Sequence, residues 1–162
     1  MLAIAQWLES TSVSQAIQKT LWLIPLLQTV HILAIAMVLS AVLMIALRIL
    51  GVGTMLSIQQ TSARFAPWLW TGLGLLLLTG AVLIVGEPKR ALPNPAFQIK
   101  MLMLSITIAV ALAFHASLRR SIAFWDGHSL ARTVTGGLAV VVFFLWCAIA
   151  VAGRWIAYVH SA

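Results

Sequence analysis

LWLIPLLQTVHILAIAMVLSAVLMIALRIL, residues 21 to 50, decides the fold. Between Lys19 and Arg48 the only titratable side chain is His31. An apolar run this long exceeds the roughly 20 residues that carry a helix across a bilayer. In lipid no water is present to satisfy a free backbone amide, so the run must close its own hydrogen bonds as a helix. Three more stretches read the same way: APWLWTGLGLLLLTGAVLIVG (66 to 86), PAFQIKMLMLSITIAVALAFHASL (95 to 118) and VTGGLAVVVFFLWCAIAVAGRWIAYV (134 to 159).

The whole chain agrees with that reading. Its 162 residues are 62% hydrophobic and 8% charged, against roughly a quarter charged in soluble domains. Mean hydropathy is +1.07. The expectation is an all-α fold: one integral membrane domain over residues 1 to 162, a four-helix bundle whose short connections make neighbours antiparallel. The opening MLAIAQWLESTSVSQAIQ lacks the basic start of a signal peptide and suits a short interfacial helix, with Trp7 and Leu8 dipping into the membrane.

Punctuation supports the boundaries. Pro67 and Pro95 suit first helical turns, where a missing N–H costs nothing, and Asn94 suits an N-cap. Pro25 offers another start for the first span. Trp22, Trp68, Trp70, Trp125 and Trp155 fall near span ends, where indole rings favour the interface. Gly72, Thr79 and Gly80, and Gly136 with Gly137, are small enough to let helices approach closely. Lys19, Lys89, Arg90, Lys100 and Arg154 lie on the side of the termini, and Arg48, Arg64, Arg119, Arg120 and Arg132 on the other. That symmetry gives the positive-inside rule no preference.

The net charge of +7 is scattered between apolar runs, without the basic stripe that nucleic acid requires. Cys147 stands alone, so an intramolecular disulfide, covalent c-type haem and cysteine-paired zinc are excluded. Glu9, Glu87 and Asp126 lie outside the spans, which argues against a carboxylate relay and carboxylate hydrolases. No serine or cysteine triad is suggested. Met37 and Met44 share a face and could serve Cu(I), although core filling explains them more simply.

Ionisable groups at membrane depth are functional candidates by default. His31 and His115 are the two in-span histidines; His128 belongs to a loop and His160 to the tail. Two imidazoles facing each other at one depth can ligate a haem iron. Measured from Lys19 and Lys100 the two lie about 18 and 22 Å deep, which permits a shared haem; measured from Arg48 and Arg119 they lie about 26 and 6 Å deep, which forbids it. The plainer alternatives are a His31 bonded to Gln28 or to another helix, and a His115 at the interface near Arg119. Arg154 either snorkels or neutralises an anionic group such as a haem propionate.

LLQTVHILAIAMVL, RILG, APWLWTGLGLLLLTG, NPAFQIKMLML, FHASL and AGRWIAY, in that order, resemble a bacterial family of small four-helix membrane proteins known as a domain of unknown function. The resemblance covers about residues 20 to 160. More distantly, the first-span histidine is similar to those of four-helix b-type cytochromes and copper-resistance membrane domains. The chain lacks the cytochromes' fuller histidine set. The resemblance implies haem b or copper handling in the bacterial inner membrane, with His31, His115 and Arg154 inside recurring motifs. The leading expectation is therefore a cytochrome-like electron carrier with His31 and His115 as axial ligands and Arg154 on a propionate. It would pass electrons between quinol and a redox partner protein. The alternative is a non-enzymatic membrane subunit, or a metal-handling protein without haem. Lipid is the expected surroundings, and self-association is a further option.

Overall fold

The computed structural model describes residues 2–53, 56–120 and 129–156. Among them the chain is helical with no strand. In order come α1 (Leu2–Glu9), α2 (Ser12–Lys19), α3 (Leu23–Ile49), α4 (Ile58–Gly86), α5 (Pro88–Ala91), α6 (Pro95–Arg120) and α7 (Ser129–Trp155). Four stretches are long and apolar enough to cross a membrane: Leu23–Ile49, Ile58–Gly86, Pro95–Ala116 and Gly136–Trp155. The chain is thus a multi-pass membrane protein, and its exposed Leu33, Leu78, Leu102 and Phe144 have a lipid environment to enter.

Each helix end has a local cause. α3 stops at a Schellman turn: Val52 N–H reaches Leu47 O at 2.9 Å and Gly51 N–H reaches Arg48 O at 3.1 Å. Gly51 sits at φ 91°, where a Cβ would be strained. Arg48 Nε–H donates to Leu56 O, tying the loop back to the helix end. α4 begins eight residues before the start expected from hydropathy. Ser57 and Gln60 form a capping box, with Gln60 N–H donating to Ser57 Oγ at 3.1 Å and Ser57 N–H to Gln60 Oε1 at 2.9 Å. Pro67 therefore lies inside α4 and not in its first turn. Pro95 does open α6, and Asn94 caps it, its Oδ1 accepting from Ala96 N–H at 2.9 Å. Pro25 falls in the first turn of α3, which begins at Leu23. Ser57→Ala should cost about 1 kcal/mol, read as a lower thermal midpoint in detergent; Ser57→Asp keeps an acceptor and should lose less.

The tightest pairing is between α3 and α4. Ile24 meets Gly86, His31 meets Gly80 and Val38 meets Gly72, so the two run in opposite directions. Gly72 is the closest approach: a Cβ there would stand 2.7 Å from Val38 Cγ2 and 3.0 Å from Met37 Cε. Met37 is thus core filling at this contact. On α7, Gly136 faces Leu50, while Gly137 has open space. One apolar core joins all four long helices, with Ala34, Val38 and Ala41 from α3, Leu69, Leu73 and Leu76 from α4, Leu104 from α6, and Trp146 and Ile149 from α7.

The N-terminal segment is two short helices. Ser10 and Thr11 break it, and Thr11 Oγ1 caps α2 by accepting from Ser14 N–H at 3.3 Å. α2 docks on the end of α4: Gln18 Nε2 donates to Gly86 O at 3.0 Å, and Ile17 packs against Gly86. Trp7 stays exposed. An exposed Lys89–Glu9 ion pair joins α1 to α5, and such surface pairs contribute little.

Candidate functional site

Polar side chains meet at one level of the core, and an apolar cavity opens at another. At the first level, His31 Nδ1 lies 2.7 Å from Thr79 Oγ1. The Thr79 hydroxyl lies 2.6 Å from Leu75 O, to which it donates. With its proton so placed, Thr79 Oγ1 accepts from Nδ1–H, and the neutral ring keeps its lone pair on Nε2. This tautomer is assigned from the network. Gly80 leaves room beside the ring, a Cβ there standing 3.6 Å from Cε1. Lys100 of α6 is half-buried. Its Nζ packs against α7 at Gly153, 3.2 Å from where a Cβ would stand. Arg154 follows Gly153 at the same end of α7 and is exposed.

The second level is a cavity of about 90 Å³, or about 700 Å³ of empty space with its mouth included, lined by all four long helices. His115 and Trp70 line it in an edge-to-face contact, with centroids 6.1 Å apart and planes at 77°. Phe114 and Trp146 complete its aromatic wall. Trp146 is 4% exposed, and its Nε1–H is buried without a partner among the described residues. A buried unsatisfied donor costs roughly 1–3 kcal/mol, and this one stands in the wall of the cavity.

The two histidines are not brought together. His31 is level with Thr79 and His115 with Trp70, nine residues away on the same helix, which is about 14 Å of rise. Nor does His31 line the cavity that His115 faces. Axial ligands must sit on opposite sides of one iron, so this pair does not fit a shared haem. The offset of about 14 Å is nearer the arginine count than the lysine count. His31 is bonded to another helix and not to Gln28. Arg154 shares the His31 end of the molecule, away from His115. Among the described residues no group of three or more His, Cys, Asp or Glu could hold a metal ion. His128, His160 and Trp125 lie outside the described residues.

Sequence reasoning missed Lys100 and Trp146. Lys100 had a usable signal: it stands five residues past Pro95, already inside an apolar helix. Trp146 had none, because an indole in an apolar span reads as packing. No known protein family, curated protein or solved structure matches the chain.

Proposed function

We propose that the protein is a membrane subunit of an electron-transfer system, built as an antiparallel four-helix bundle, that binds a lipid-soluble quinone in the His115 cavity. The observation that carries this reading is the orphaned indole N–H of Trp146 in a cavity walled, apart from Ser62 and His115, by apolar and aromatic side chains. A quinone ring is flat and apolar, and its carbonyl oxygen accepts the hydrogen bond that Trp146 offers. The His115 imidazole offers a second polar contact in the same cavity. Quinones dissolve in lipid and carry electrons in the bacterial inner membrane, the location this reading implies. Electrons would pass to or from a partner redox protein docked on the chain. The α1–α2 segment would lie along the membrane surface.

The test is extraction of the protein purified from bacterial membranes, with chromatography of the extract. About one quinone per chain is expected. Trp146→Phe should weaken quinone binding about three- to tenfold, the worth of one neutral hydrogen bond, and His115→Leu should weaken it as well. A folded protein free of quinone that also fails to bind added quinone would overturn the proposal. An absorption spectrum runs alongside. A Soret band lost in His115→Leu would replace quinone with haem b held by His115.

A further inference from the structure

We propose, resting on the quinone reading of the His115 cavity, that the ligand's hydrocarbon tail leaves it sideways, into the bilayer between α4 and α6, past a gate formed by Trp70 and His115. The packing leaves this side of the bundle loose. α3 packs along α4 and along α7, and α7 packs along α6. Among the described residues α4 and α6 have no comparable contact, although both line the cavity. What joins them there is the Trp70 ring on α4, set edge-to-face against the His115 ring on α6. Both rings line the cavity and neither is fully buried. Ala66 and Ala111, each one turn before a gate residue on the same wall, are small, so the two rings supply the bulk of the barrier.

The volume requires an exit. The enclosed space is about 90 Å³, whereas about 150 Å³ holds one benzene. A quinone ring with a tail cannot be enclosed in it. The Trp70 ring must swing aside to admit the head, and the tail must stay outside the gate. α4 offers the tail a path. Gly74 lies one turn past Trp70, and positions four apart share a helix face. A Cβ at Gly74 would meet nothing within 4 Å, whereas Gly72 is crowded by Val38 and Gly86 by Ile17. Leu77, nearly a turn further, is 47% exposed. From Gly74 to Leu77 no side chain is polar, which suits a hydrocarbon tail bordered by lipid.

The test separates head from tail. The full chain in phosphatidylcholine nanodiscs is titrated with a methylated benzoquinone that has no side chain, and with the same ring carrying a decyl tail. Empty nanodiscs correct for partitioning. Gly74→Phe puts a phenyl group on the open strip and touches no core residue, so it should melt near wild type. It should weaken the decyl quinone about tenfold, within the range that steric overpacking costs, and leave the tailless ring unchanged. Trp70→Ala should raise the association rate of both probes in stopped-flow mixing. A tryptophan that only contacts the bound ring would alter dissociation alone. The proposal is overturned if folded Gly74→Phe binds both probes as wild type does or loses both alike, or if Trp70→Ala leaves association unchanged. Wild-type protein that binds neither probe would instead refute the cavity assignment, and the gate would fall with it.

Discussion

Gly72→Leu should unfold the protein at a markedly lower temperature, the largest effect expected of any single change in α4. A Cβ at this position would already stand 2.7 Å from Val38 Cγ2, 3.0 Å from Met37 Cε and 3.4 Å from the Ala34 carbonyl. Val38 is fully buried and β-branched, so it cannot swing aside. The only relief is separation of α3 from α4 at their tightest contact. Overpacking of this kind costs about 1–3 kcal/mol even for added methylenes in a core, and a whole isobutyl group should exceed that. Gly74→Ala is the control on the same helix, because a Cβ there meets nothing within 4 Å. Helix propensity favours alanine by up to about 1 kcal/mol, so Gly74→Ala should be neutral or stabilising. Thermal melts followed by circular dichroism in one detergent compare the two. Equal midpoints for both variants would refute the close approach.

Asn94→Ala should be the most costly polar change. Asn94 is 1% exposed. Its Oδ1 caps α6 at Ala96 N–H, and its Nδ2 donates 3.3 Å to Ile156 O at the end of α7. Loss of the cap costs about 1 kcal/mol, and a buried carbonyl losing its donor adds about 1 kcal/mol or more. Together these should give about 2 kcal/mol of destabilisation. Asn94→Asp separates the contributions, since the carboxylate keeps the cap but cannot donate to Ile156. It should fall between wild type and alanine in the same melts.

Much of this architecture is legible in residue order. The four spans are visible because a chain with 62% hydrophobic residues in long unbroken runs hides them from water by entering lipid. Asn94-Pro95 marks the start of α6 for a local reason, a cap followed by a residue that needs no donor partner. Pro67 misled for an equally local reason. The capping box at Ser57 and Gln60 starts α4 in a polar stretch that hydropathy alone passes over, and a spanning helix tolerates an internal proline when neighbours hold it. Gly72, Thr79 and Gly80 were recognisable as small residues. That one of them would be a hydrogen-bond partner for His31 was not.

Depth was the quantity that residue order left divided. Counting from lysines put His31 and His115 together, and counting from arginines put them far apart. The lysine count assumed that Lys100 marks the membrane surface. In the structure His31 stands beside Thr79 and His115 beside Trp70, nine residues apart along α4. The chemistry of residues 1 to 162 thus determined by itself that the chain holds four helices long and apolar enough to cross a membrane, since a backbone in lipid must bond to itself. Which polar groups share a level, and that His31 meets Thr79 while His115 faces a cavity with Trp146, was decided only by tertiary structure. Helix-to-helix offsets depend on side chains fitting side chains far apart in sequence, and no count along a single helix contains them.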